Sequence, residues 1–187
     1  MVVAYLDIET NSKTANEGMV IAIGVLTNGE PEVHFSGSLE EERVALEWLK
    51  EKLEGCDMLV TWYGTGFDIP FLLSRAVFHN IDFTWLTEVP MLDLYEWSRA
   101  HLLLSSYSLE SVSRFLGVRG GKGFKEFHGS EILPLFKLVE RGEHQARRLI
   151  VEHCEEDVIV LKSVHERLKP LVERSGWGLA RRTSKEE

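Results

Sequence analysis

Apolar positions fall early in the chain as short β-branched runs, and after Ser38 they recur mostly at helical spacing. Val2-Val3-Ala4 leads into Tyr5-Leu6-Asp7-Ile8-Glu9-Thr10, which reads as a buried strand over residues 2–8 running into two carboxylates. Met19 to Thr27 is a second apolar, β-branched run. Asn28-Gly29 follows it, a strong hairpin signal, and Glu30 to Ser36 then sets Val33 and Phe35 on one face. These segments are expected to be neighbouring strands, the last two antiparallel. Asp57 to Trp62 and Val89 to Leu94 read as two further short strands.

Helical signals separate and follow these runs. Ser38-Leu39-Glu40-Glu41 reads as a capping box. Val44, Leu46, Trp48, Leu49 and Leu53 then mark a helix that Gly55 ends. After the turn Tyr63-Gly64-Thr65-Gly66, Pro70 suits the first turn of a helix reaching Asn80. Residues 94–104 look helical. Ser108 caps a helix with Leu109, Val112, Phe115 and Leu116 expected inward, and residues 130–141 form a short helix. Glu143 to Val172 is a long helix striped by Ile150, Cys154, Val158, Leu161, Val164 and Leu168. This order predicts one α/β domain over residues 1–174, with a mixed sheet of about five strands and helices packed on it. Residues 175–187 are polar and basic, a tail expected to be mobile.

At 187 residues the chain has length for one well-cored domain. The net charge of −9 argues against a nucleic-acid binder that relies on a broad basic surface. It leaves room for a site whose cations meet phosphate. No apolar run approaches the roughly 20 residues that cross a bilayer, so no membrane association is expected. The N-terminus enters a strand without a basic or cleavage segment, and Cys56 and Cys154 form no CxxC or zinc pattern. A cytoplasmic protein is expected. Residues 117–129 are glycine-rich, with Arg119, Lys122 and Lys125. Their spacing is not that of a triphosphate-binding loop. They could contact a phosphodiester backbone or be an ordinary loop.

The candidate chemistry lies in acids. Asp7 and Glu9 share one strand face, where two carboxylates repel unless a cation lies between them. Oxygen ligands suit Mg2+ or Mn2+. Alternatively, the strand has run out and both acids are in water. Asp68 stands at a strand-to-helix junction, where plain N-capping is an alternative. Asp157 falls within the apolar stripe of the long helix, one turn after His153. There it is costly unless it is paired or ligates a metal; the alternative is an acid at the stripe margin partnered by an arginine.

In this order and context, these acids resemble the DEDD superfamily of 3′–5′ exonucleases, which have a ribonuclease H-like fold. Leu6-Asp7-Ile8-Glu9-Thr10 is similar to the first exonuclease motif. Tyr63 to Leu72 is similar to the second, in the form seen in family B polymerase proofreading domains and related stand-alone nucleases. Tyr107-Ser108-Leu109-Glu110 with Phe115-Leu116-Gly117 resembles the segment before the third motif, and His153 to Asp157 sits where that motif belongs. The resemblance covers roughly residues 2–165 and implies two Mg2+ or Mn2+ ions bracketing the scissile phosphate. It gives Asp7 as the ligand bridging both, with Glu9 and Asp157 as further ligands, and Asp68 holding the second ion directly or through water. Thr10, Gly64 and Phe67 would lie against the terminal nucleotide; Lys122 and Lys125 are candidate backbone contacts from the loop reading alone, with an ordinary loop as the alternative.

Two departures matter. His153 stands where the family usually has tyrosine, and Glu152 where it can have histidine; a histidine with a pKa near 6.5 is a competent base. Tyr63 stands where asparagine is common. The expected function is metal-dependent 3′–5′ exonuclease action on single-stranded DNA or RNA ends. The alternatives are a nucleic-acid- or partner-binding module of the same fold with little activity, and an endonuclease of related fold.

Overall fold

The computed structural model describes residues 1–118 and 131–176. Its strands are β1 (Val3–Thr10), β2 (Val20–Leu26), β3 (Glu32–Phe35), β4 (Met58–Thr61) and β5 (Met91–Asp93). Its helices are α1 (Leu39–Lys52), α2 (Asp68–His79), α3 (Leu94–His101), α4 (Leu109–Phe115), α5 (Ile132–Val139) and α6 (His144–Ser175). The sheet order is β3-β2-β1-β4-β5. β1, β2 and β3 form an antiparallel meander, while β4 lies parallel to β1 and β5 parallel to β4. This is the mixed five-stranded α/β sheet that the hydrophobic pattern predicts.

Strand alternation divides the core. Ala4, Leu6 and Ile8 point to one face, where Leu46 and Leu49 of α1 and Leu72 and Ala76 of α2 cover them. Tyr5 points to the other face, against Val158, Leu161 and Val164 of α6. Asp7 and Glu9 share that second face. The register slips between Glu9 and Thr10, where Glu9 pairs with Ala22 but Thr10 with Val20. Such a bulge twists the strand end and re-aims its side chains.

Several helix details differ from the pattern. Val44 is 53% exposed and Phe115 is 63% exposed, so neither joins the core. The Ser38 hydroxyl accepts from the Glu41 N–H at 3.2 Å, but the Glu41 carboxylate accepts from the Gly37 N–H at 2.6 Å, one residue earlier than a capping box requires. α3 ends at His101, short of Leu104. Among the buried residues of α1 is one charged side chain, Glu42, fully enclosed. It accepts two bonds from Arg75 at 2.8 and 2.6 Å and one from the Val20 N–H at 2.8 Å, with the His79 Nε2 at 2.7 Å. Arg75 also donates to the Ala15 carbonyl at 3.0 Å, tying α1, α2, β2 and the 11–18 loop together. A buried charge is tolerated when paired and hydrogen-bonded in this way.

Candidate functional site

Four carboxylates meet at the C-terminal part of β1, which itself carries Asp7 and Glu9. Glu9 is 7% and Asp68 5% exposed, while Asp7 and Asp157 are half-buried. Asp7 Oδ2 is shielded from solvent and meets no hydrogen-bond donor among the described residues. Asp68 occupies the first residue of α2 and does not cap it. Phe67 is the cap position, and Asp68 Oδ1 instead accepts from the Ile8 N–H at 3.2 Å, so α2 is tied to β1 beside Asp7. Capping therefore does not explain Asp68.

α6 brings the fourth acid because it lies close on the sheet at Gly24. Gly24 pairs with Asp7 across β1 and β2, and a Cβ on it would meet Cys154 Sγ at 2.8 Å and the Cys154 carbonyl oxygen at 3.1 Å. With no side chain there, α6 sits against β2 and turns Asp157 and His153 toward β1. His153 Nε2 lies 3.5 Å from Glu9 Oε1 and 3.8 Å from Asp157 Oδ2. Glu9, His153 and Asp157 can each offer a ligand atom within 4.8 Å of the others.

Gathering these acids perturbs their ionisation. Burial pushes Asp7 well above the usual carboxylate range, and the charges of Asp157, Glu9 and Asp68 push it further. Glu9 is raised well above its usual range by burial, then by Asp157 and Asp68. Asp68 is raised to about 7, chiefly by burial, against the hydrogen bonds it accepts. Burial raises Asp157, and His153 opposes that rise. Four oxygen-rich groups that resist ionising together, one with an unpartnered shielded oxygen, are a donor set suited to a hard divalent cation. The cluster fits such an ion.

The turn before α2 is fixed by a residue the pattern shows only as a strand end. Asp93 accepts from the Tyr63 N–H at 2.9 Å, the Thr65 N–H at 3.0 Å and the Thr65 hydroxyl at 2.6 Å, while capping α3. A loop-facing aspartate at a strand-to-helix junction was its available signal. Tyr63 is held at φ 61°, a left-handed conformation costing a side-chain-bearing residue roughly 1–2 kcal/mol. A Cβ on Gly64 would overlap the Thr61 side chain, so this glycine serves the turn itself.

Thr10 and Phe67 line a pocket of about 630 Å³ with Glu9, Asn11, Lys13 and Leu133. The structure thus brings Thr10 and Phe67 to the acid cluster, and adds Lys13, which no motif singled out. Arg119, Lys122 and Lys125 lie outside the described residues, as does the tail from residue 177.

The model of the RNase H superfamily matches residues 4–169, nearly all of the sheet and its helices. The chain belongs to the RNase H superfamily. An uncharacterized protein of Methanocaldococcus jannaschii is 27% identical over 163 residues, covering 84% of this chain and 90% of that protein. The fold is also similar to a family B DNA polymerase of the hyperthermophilic archaeon Pyrobaculum calidifontis, with a TM-score of 0.79 at 18% identity. That likeness covers 92% of this chain, which spans 25% of the polymerase. Family B polymerases are the class that the second motif resembles. In this RNase H superfamily member, as in the sequence reading, the fold is of nuclease type and suits nucleic-acid binding. Among the described residues no helix is long and apolar enough to cross a membrane.

Proposed function

We infer that the protein is a metal-dependent 3′–5′ exonuclease acting on single-stranded DNA or RNA ends. The observation that carries this reading is the convergence of Asp7, Glu9, Asp68 and Asp157 from β1, α2 and α6, with a shielded Asp7 oxygen lacking a donor. Asp7, Glu9 and Asp157 are the residues to hold Mg2+ or Mn2+, with Asp68 completing the set. Ions bound there supply Lewis-acid polarisation of the phosphate and lower the pKa of attacking water.

The remaining work falls to the chain. His153, with Nε2 3.5 Å from Glu9 and 3.8 Å from Asp157, is positioned to take or steer the proton of water. Phe67 and Thr10 wall the pocket beside Glu9, where the last nucleotide would be held. Water attacks phosphorus, and the 3′ oxygen of the shortened strand leaves. A half-enclosed pocket suits a strand end better than the middle of a duplex.

End-labelled single-stranded DNA and RNA, incubated with Mg2+, Mn2+ or chelator, test this. A ladder shortening from the 3′ end, absent with chelator and with Asp7→Ala, is the expected result. Cleavage of circular substrates at the same rate would make the protein an endonuclease. Metal binding without product would leave a binding module.

A further inference from the structure

The turn before α2 carries more than the site uses. At its far end Phe67 lines the pocket beside Glu9, and at its near end Tyr63 is 45% exposed. The backbone between them is rigid. Tyr63 O accepts from the Gly66 and Phe67 N–H groups at 3.0 Å, Gly64 O accepts from Ile69, and Asp93 fixes the Tyr63 and Thr65 N–H groups. The Tyr63 ring lies over Gly66, where any Cβ would overlap it. It packs edge-on against Tyr95 at 4.8 Å between centroids, and the guanidinium carbon of the exposed Arg99 lies 5.7 Å from the Tyr95 ring centre. Trp62 packs on the same Tyr95 at 6.2 Å, and its Nε1 donates to the Tyr107 carbonyl.

The hydrogen bonds that hold the turn do not need an exposed ring in a left-handed backbone. Glycine would make the same turn without strain, and Asp93 would hold it through the backbone alone. A large aromatic kept outward in a sparsely populated conformation, braced by a second ring and a cation, has the build of a stacking platform for unpaired bases. Every base offers a π-face, and the arginine adds cation–π attraction and a phosphate contact.

We propose that Tyr63, backed by Tyr95 and Arg99, is a base-stacking subsite for single-stranded nucleic acid, holding a nucleotide next to the one in the Phe67–Thr10 pocket. This deepens the exonuclease reading and rests on it. On an acidic chain, stacking supplies affinity that a basic surface does not. It also gives preference for unpaired ends, since the faces of bases inside a duplex are already stacked on their neighbours.

The test uses the full chain and short DNA oligonucleotides with 2-aminopurine at each of the last four positions in turn. Ca2+ replaces Mg2+ during binding, and Mg2+ cleavage is followed in parallel. Wild type and Tyr63→Phe are expected to quench the probe at one interior position. Tyr63→Gly, which relieves the backbone and so keeps the fold, should lose that quenching and bind roughly tenfold more weakly. Tyr95→Ala should weaken binding less. If the wild type cleaves while Tyr63→Gly keeps both quenching and affinity, the subsite is wrong and the nuclease reading stands. If the wild type neither binds nor cleaves, both fall.

Discussion

Asp7 and Gly24 face each other across β1 and β2, and the side chain that Gly24 lacks would occupy the place where Cys154 of α6 now sits. The pairing puts a close approach of helix and sheet directly beside the central acid. Cys154 Sγ lies 3.8 Å from the Asp7 carbonyl oxygen, and Asp157 follows less than one turn later. Gly24→Ala should therefore push α6 outward, costing about 1–3 kcal/mol in chemical denaturation. Cleavage should fall further than stability. Cys154→Ala in the same chain removes the tightest contact and should recover part of both losses; no recovery would mean that α6 is placed by other contacts.

The ionisation of the cluster predicts how the metal-free protein responds to pH. Asp68 titrates at about 7 when folded, mainly because it is buried, and near 4 when unfolded. The folded state then holds the extra proton between those values, so stability falls as pH rises through that window. Melting temperature in chelator should decline from pH 4.5 to 7.5. Asp68→Asn, which still accepts from Ile8, should flatten the decline and add on the order of 1–3 kcal/mol at the upper end. A melting temperature that rises across the window in chelator would contradict the folded ionisation.

Divalent cations should reverse that loss. Mn2+ at a hundred times its dissociation constant contributes about 2.7 kcal/mol if it binds only the folded chain. Calorimetric melts at pH 7.5 should show the gain in wild type and not in Asp7→Ala. Equal gains in both would move the ion away from Asp7.

His153 and Asp7 should separate kinetically. His153→Ala is expected to lower kcat by about 10²-fold or more with little change in KM. Asp7→Ala should leave no measurable turnover. An unchanged rate for His153→Ala would reduce that histidine to a neighbour of Glu9.

Glu42 should behave as a structural charge remote from turnover. Glu42→Gln leaves Arg75 buried without its counter-ion and should cost about 3–5 kcal/mol. Pairing it with Arg75→Met should restore much of the loss, which urea titration of the single and double variants would show.

Much of the fold is legible in the chain because its signals are local. An apolar run marks β1, Asn28-Gly29 marks the hairpin, and the stripe from Ile150 to Leu168 marks α6; each depends on residues within a turn or two. The same locality puts Asp7 with Glu9, and His153 with Asp157. Tertiary structure decided what depends on distant neighbours. Docking of α1 buried Glu42 and left Val44 outside, because an amphipathic helix can rotate its apolar face and a paired charge can replace a hydrophobe at its centre. The tie from Asp68 to Ile8, the hold of Asp93 on Tyr63 and the seat of α6 at Gly24 join residues 30 to 130 positions apart. The raised pKa values follow from those junctions, since burial and mutual repulsion exist only once the four acids share one place.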